Sequence, residues 1–145
     1  MKERVYIKCP SDILPLVHYW GRRREENFLT VTLDSVHRVI KVHHITKGLL
    51  NRTIIHPREC FFPAVRDYAA AVMFVHNHPS GKVGPSGNDD DITMGLYKAA
   101  DILGFNFLDH MIVNRAGEYF SYRQEGRLSA MKLGGEGYVV AEGAR

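Results

Sequence analysis

The stretch of sequence that decides the fold begins with an apolar run, Ala70-Ala71-Val72-Met73-Phe74-Val75, which leads into His76-Asn77-His78-Pro79-Ser80-Gly81. The run is too short for a typical helix, so it predicts a strand buried on both faces. Pro85-Ser86-Gly87-Asn88-Asp89 then opens an apolar pattern of helical spacing that ends at Gly104. A buried strand, a Gly/Pro-rich loop and an amphipathic helix are therefore predicted, in that order.

Patterns on either side of this stretch predict six further elements. In chain order they are a helix over residues 11–20, strands over 28–33 and 38–46, a helix over 57–69, and strands over 105–113 and 118–122. Ser11 is expected to cap the first helix, and Pro57 suits the first position of the second. Alternation over residues 28–33 predicts a strand that is only half-buried. The order α-ββ-α-β-α-ββ predicts an α/β fold in which helices pack on a mixed sheet.

Length and composition are those of an ordinary globular domain. The chain has 145 residues, of which 45% are hydrophobic and 24% charged, so it can bury a core without disulfides. We expect one domain over residues 1–128 and a flexible, glycine-rich tail over residues 129–145. The sequence shows neither a long apolar span nor a secretory leader, which makes the cytoplasm the expected compartment and a membrane partner unexpected. Cys9 and Cys60 form no CxxC pair, which excludes thiolate zinc and redox motifs of that kind.

The candidate metal site lies at the end of the buried strand. Side chains two residues apart share one face of a strand, so His76 and His78 can both approach one ion. Asp89, in the first turn of the next helix, can supply a third ligand. Two imidazoles and one carboxylate leave a coordination position open, which is typical of catalytic zinc. Ser86 and Asp89 also match a helix capping box, and both interpretations can hold because a capped helix start presents a ligand rigidly.

Other classes of metal-dependent enzyme do not match this pattern. Pro79-Ser80-Gly81 follows the histidine pair where a metallo-β-lactamase needs Asp-His. The HExxH helix of zincins and the HxE…PCxxC arrangement of zinc deaminases are absent from the sequence. A TIM-barrel amidohydrolase needs a far longer chain.

The segment from His76 through Pro85-Ser86-x-x-Asp89 resembles the JAMM (MPN+) metalloprotease motif, and most closely its RadC-like JAB branch. Further similar segments are Asn51-Arg52-Thr53, His56-Pro57-Arg58-Glu59, Ala69-Ala70-Ala71-Val72, Thr93-x-x-Leu96 and Asp109-His110, so that the resemblance covers about residues 11–128. It implies a cytidine-deaminase-like α/β sandwich and one zinc ion per chain, held by His76, His78 and Asp89. The implied reaction is hydrolysis of amide or isopeptide bonds in a peptide or protein substrate. The chain looks like the short members of the family, which lack the N-terminal helix-hairpin-helix domain.

The resemblance also implies the remaining catalytic roles. It places the general base at Glu26, two residues before an aromatic at the start of the first strand, with Glu59 as the competing candidate. Ser86 is the expected hydrogen-bond donor to the developing oxyanion.

The family register also chooses among three consecutive aspartates. The spacing Ser-x-x-Asp selects Asp89, which leaves Asp90 and Asp91 as expected solvated carboxylates of the first helical turn. His110, next to Asp109, is a candidate to orient a ligand imidazole.

Two other functions remain open on the sequence. A DNA-associated factor is compatible with the family's link to DNA repair, with Arg22-Arg23-Arg24 and with a net charge of +3. The pattern favours a solvated connector for these arginines over a phosphate-binding role. A metal-bound interaction module without turnover is the third possibility, and the presence of both Glu26 and Ser86 argues against it. The substrate and the oligomeric state are not determined by the sequence.

Overall fold

The computed structural model describes residues 3–51 and 53–135, the side chains of residues 132–135 excepted. Its elements are a 3-10 helix (Pro10–Ile13), α1 (Leu14–Gly21), β1 (Asn27–Leu33), β2 (Val39–Lys47), α2 (Pro57–Arg66), β3 (Ala71–Asn77), α3 (Gly87–Leu103), β4 (Asn106–Val113), β5 (Tyr119–Ser121) and α4 (Arg127–Gly135). The predicted order of helices and strands is confirmed, with α4 as an additional helix. No helix among the described residues is long and apolar enough to cross a membrane.

The five strands form one mixed sheet in the order β2-β1-β3-β4-β5. Only β3 and β4 run parallel, and the helix α3 makes the crossover that such a pair needs. One core packs α2 and α3 against one face of the sheet, and a second core packs α1 against the other face. The fold is therefore α/β, a mixed sheet flanked by helices, as the sequence predicts.

The prediction that the first strand is half-buried is wrong. All seven residues of β1 are buried, because β2 and β3 flank the strand and helices cover both of its faces. The alternation arose from two threonines whose hydroxyl groups are bonded inside the protein. Thr30 Oγ1 donates to the Cys60 carbonyl at 2.9 Å, and Thr32 Oγ1 donates to the Asp67 carboxylate at 2.7 Å. A buried polar side chain that is fully bonded looks like a solvent-facing one in sequence.

The first helix begins earlier and less regularly than the sequence predicts. Ser11 lies inside the 3-10 helix and does not cap α1, because Pro10 already occupies the first helical position. The carboxylate of Asp12 instead accepts hydrogen bonds from the backbone N–H groups of Lys8 and Cys9, at 2.8 and 3.1 Å.

The predicted boundary between domain and tail, at residues 128 and 129, falls within α4. Leu128 and Met131 from this helix are buried in the core beside α3. Residues 136–145 of the predicted tail lie outside the described part of the chain.

Candidate metal centre

The end of β3 presents His76 and His78 on one side of the sheet. His76 is within β3, and His78 continues the pairing because its backbone N–H donates to the Val113 carbonyl of β4 at 2.9 Å. Asp89 lies in the first turn of α3, directly opposite. The Nε2 atoms of the two histidines are 3.1 Å apart, and they lie 3.3 and 3.2 Å from the Asp89 carboxylate oxygens. One ligand atom from each of the three side chains falls within 4.8 Å of the others, so this cluster could hold a metal ion.

A capping box fixes Asp89 at the start of α3. The backbone N–H of Asp89 donates to Ser86 Oγ at 3.0 Å, and the backbone N–H of Ser86 donates to Asp89 Oδ2 at 2.9 Å. The same carboxylate can therefore serve both as a cap and as a metal ligand, as its two oxygens permit. Ser86 is exposed, and its hydroxyl group accepts in the cap, so the hydroxyl hydrogen is left to donate elsewhere.

A chain of buried hydrogen bonds determines which nitrogen of His76 carries the proton. Thr93 Oγ1 lies 2.7 Å from the Asp89 carbonyl, which can only accept, so the threonine hydroxyl donates there. Thr93 Oγ1 must then accept from His110 Nδ1, at 2.6 Å. Neutral His110 consequently offers Nε2 as an acceptor to His76 Nδ1, at 2.8 Å. His76 thus carries its proton on Nδ1, and its Nε2 lone pair faces the cluster.

The tautomer of His78 follows in the same way. Its Nδ1 lies 2.7 Å from the Lys82 carbonyl and must donate to it. The Nε2 lone pair of His78 therefore also points toward Asp89. Two imidazole lone pairs and a carboxylate converge without a proton between them, an arrangement that a cation stabilises and that suits zinc. The two imidazole nitrogens and the carboxylate of the predicted site are therefore a donor set that fits zinc.

The electrostatics of the cluster favour the same conclusion. Burial lowers the pKa of His76 and lowers that of His110 well below its usual value. Both rings therefore stay neutral, the form that a ligand imidazole must have. Burial opposes ionisation of Asp89, but the adjacent His76 and His78 side chains outweigh it and hold the pKa of Asp89 well below its usual range. A fixed negative charge thus faces the neutral imidazole of His76.

Of the two candidate bases, Glu26 is the one that neighbours the cluster. It lies just before β1, two residues from Phe28, which pairs with His76, and its charge acts on both His76 and His78. The Glu26 carboxylate accepts the Leu50 backbone N–H at 3.1 Å. The adjacent Asp89 carboxylate is the main reason that the pKa of His78 is raised, and the charge of Glu26 adds to it. Glu59 sits in the first turn of α2, beside Arg58 and half-exposed.

Asn77 fixes the backbone next to Glu26, and the sequence analysis did not single it out. Its buried side chain points to the face opposite the two histidines. There Oδ1 accepts the Asn27 N–H at 2.7 Å, while Nδ2 donates to the carbonyls of Glu25 and Arg23, at 2.9 and 3.3 Å. All of its polar groups are used. The residue between the two candidate ligands therefore ties down the segment that carries Glu26.

The expectation that Asp90 is a solvated carboxylate is wrong. Arg127 from α4 donates to both of its oxygens at 2.8 Å, and the Tyr122 hydroxyl donates to Oδ1 at 2.8 Å. Neighbouring residues on a helix point in different directions, so Asp90 faces α4 while Asp89 faces the histidines. Asp91 is exposed. The structure thus supports the register that selects Asp89.

A mixed α/β sheet with two histidines at a strand end and a capped aspartate facing them defines a class of domain that could hold a metal ion. Residues 7–127 match the model of the RadC-like JAB domain. The chain belongs to this family.

Three similar curated proteins are each called a UPF0758 protein. The chain is 46% identical to a UPF0758 protein of Trichlorobacter lovleyi and 44% identical to one of Geotalea uraniireducens, each over 120 residues and 82% of the chain. It is 43% identical over 129 residues, 88% of its length, to a UPF0758 protein of Methanospirillum hungatei. The matched parts make up 52%, 52% and 57% of those proteins. The chain spans about half the length of the curated relatives it matches.

Proposed function

We propose that this domain is a zinc-dependent hydrolase that cleaves amide or isopeptide bonds in a peptide or protein substrate. The observation that carries the proposal is the convergence of three proton-free donors: Nε2 of His76, Nε2 of His78 and the carboxylate of Asp89. Three protein ligands leave room for water and substrate, as catalytic zinc sites do and closed structural sites do not. Bound zinc supplies Lewis acidity, which makes water a nucleophile near neutral pH and polarises a carbonyl group.

Glu26 is the proposed general base. It accepts a proton from the attacking water and passes that proton to the nitrogen of the leaving amine. Two contacts support this role. The Leu50 N–H holds one carboxylate oxygen, and Asn77 holds the backbone on either side of the residue. Glu26 is half-buried, so its other oxygen can reach a water at the open side of the centre.

Ser86 is the proposed donor to the oxyanion. Its oxygen already accepts from the Asp89 N–H, which fixes the position of the hydroxyl group at the rim of the metal centre. The free hydroxyl hydrogen can then donate to a carbonyl oxygen as negative charge develops there. Ser86 thereby combines a structural and a catalytic role in one side chain.

The experiment that tests the proposal uses a substrate mixture, because the physiological substrate is not determined. Zinc-loaded protein is incubated with a peptide library and with isopeptide-linked lysine conjugates, and new α- and ε-amino groups are identified by mass spectrometry. We expect cleavage by the wild type and by Glu59→Gln, and none by Glu26→Gln. The amide is nearly isosteric with the carboxylate but cannot take up a proton.

Metal analysis of the same samples is the control. Glu26→Gln must hold as much zinc as the wild type and unfold at a similar temperature. Cleavage that survives in Glu26→Gln but is lost in Glu59→Gln would transfer the role of base to Glu59. A fully zinc-loaded wild type that releases no amine from either bond type would contradict the proposed reaction.

A further inference from the structure

A cationic cleft lies on the sheet face opposite the metal centre. Its volume is about 620 Å³. It is lined by the end of α1, the segment that follows it, the end of β2 and the β4–β5 turn. The lining residues are Tyr19, Trp20, Arg22, Arg23, Arg24, Glu25, Asn27, His44, Lys47 and Arg115.

The charge of this cleft predicts an anionic ligand. Five lining side chains are cationic and one, Glu25, is anionic, which leaves four net positive charges. The whole chain has a net charge of only +3, so the excess positive charge of the protein is concentrated here. Arg22, Arg24 and Lys47 are exposed. A concave wall of one sign raises the local concentration of oppositely charged ligands.

Arg23, which lines the cleft, carries a hydrogen-bond donor that is not satisfied within the described residues. Its guanidinium lies over the Tyr19 ring, 4.3 Å from the centroid. Its Nε is buried and has no hydrogen-bond partner within the described residues. A buried guanidinium N–H without an acceptor is costly, and an oxyanion is the acceptor that guanidinium prefers.

The aromatic residues indicate which anion fits. Nucleic-acid sites of this kind use exposed aromatic faces on which successive bases stack. Here the Trp20 ring is stacked on His44, with centroids 4.6 Å apart, and Arg23 covers a face of Tyr19. The Tyr19 and Trp20 rings meet edge to face, with their centroids 4.9 Å apart. Because His44 and Arg23 each cover one face of these rings, less aromatic surface is left on which bases could stack, and the cleft suits carboxylates better than bases.

The cleft is also physically joined to the metal centre. Asn27 lines it, and Arg23 and Glu25 form its wall. All three are bonded to the side chain of Asn77, which stands between His76 and His78. A ligand held in the cleft therefore lies at the same end of β1 and β3 as the metal centre, where the proposed reaction takes place.

We infer that the cleft binds an acidic segment of the polypeptide substrate, outside the bond that is cleaved. The identification of the bound peptide as a substrate rests on the proposed function. Binding of an acidic peptide can nevertheless be measured without turnover. Binding energy from such a remote segment is available to orient the scissile bond.

Fluorescence anisotropy with three labelled probes tests the inference. The probes are a peptide of alternating Glu and Gly, the same peptide with Gln for every Glu, and an oligothymidylate of equal charge. We expect saturable binding of the acidic peptide alone, weakening as salt screens the charges. The triple variant Arg22→Gln/Arg24→Gln/Lys47→Gln should weaken it about tenfold, since exposed ion pairs each contribute modestly.

A charge-matched variant is the control. Lys41→Gln/Arg58→Gln/Lys98→Gln removes the same charge from exposed positions outside the cleft, and we expect it to bind as the wild type does. Equal losses in the two triple variants, tighter binding of oligothymidylate, or no binding of the acidic peptide would each overturn the inference. Acidic-peptide binding in a protein that cleaves nothing would refute the proposed reaction alone. Cleavage without any preference for acidic peptides would refute the cleft's role alone.

Discussion

Removing the Thr93 hydroxyl should weaken zinc binding although Thr93 touches no ligand atom. In the wild type this hydroxyl fixes the proton of His110 on Nδ1, and His110 in turn fixes that of His76. Thr93→Val is nearly isosteric and removes the acceptor. His110 is then free to place its proton on Nε2 and donate toward His76 Nδ1, which drives the His76 proton to the atom that must bind zinc.

The size of the effect follows from the role of groups that orient ligand imidazoles. Losing such a partner typically lowers metal affinity about 10- to 100-fold, equivalent to about 1.4–2.7 kcal/mol. Thr93 is completely buried, so loss of its bonds should also cost about 1–3 kcal/mol of folding stability. The two effects need to be separated.

Thr30→Val supplies the matched control. Thr30 is also completely buried and donates one hydrogen bond to a backbone carbonyl, that of Cys60, away from the metal centre. Zinc affinity is measured by competition with a chromophoric chelator, well below the melting temperature of each variant. We expect both variants to lose stability and only Thr93→Val to lose affinity. Zinc affinities of Thr93→Val and Thr30→Val that lie within twofold of each other would refute the tautomer argument.

Three further predictions concern the cap, the segment beside the base and a distant hydrogen-bonded carboxylate. Ser86→Ala should lose about 1 kcal/mol of stability as a cap and about 100-fold or more in hydrolysis rate. A destabilised but fully active variant would leave Ser86 as a cap alone. Asn77→Ala should keep its zinc, measured by elemental analysis, but hydrolyse more slowly, because Glu26 loses its anchored backbone. An unchanged rate would contradict this. Burial opposes ionisation of Asp67, but hydrogen bonds with His43 and Thr32 hold its pKa below 3.8. This carboxylate therefore stabilises the fold above pH 3.8, and the contribution disappears as the pH falls through the lowered pKa. Urea unfolding should show that Asp67→Asn is less stable than the wild type at neutral pH, by about 1–3 kcal/mol. The difference should shrink in acid, and a difference that stays constant with pH would contradict the stabilising role of the ionised Asp67.

Much of this architecture could be predicted because the decisive signals are local. The apolar run before His76, the turn residues after His78 and the capping box at Ser86 each specify their own segment. The spacing of two residues between the histidines is enough to place both on one face of β3. Helix α2 begins at Pro57 and α3 ends before Gly104, whose φ of 86° requires the freedom of glycine.

What the sequence could not supply depends on contacts between distant segments. The burial of β1 on both faces is set by its place in the middle of the sheet. The partner of Asp90 is Arg127, which begins α4 just before the predicted glycine-rich tail. Asn77 and Thr93 join groups that are far apart in the chain. The spacing of four residues between Asp89 and Thr93 is the one signal in the sequence for this bond, because a helical threonine hydroxyl can reach back to the carbonyl four residues before it.

Elemental analysis of the purified protein, after dialysis against zinc, tests the central claim most directly. We predict close to one zinc per chain in the wild type, and loss of that zinc in His76→Ala, His78→Ala and Asp89→Ala. Asp90→Ala removes the adjacent carboxylate, which binds Arg127, and should keep its zinc. A wild type without zinc, or an Asp89→Ala protein that retains a full equivalent, would contradict the assignment of the metal centre.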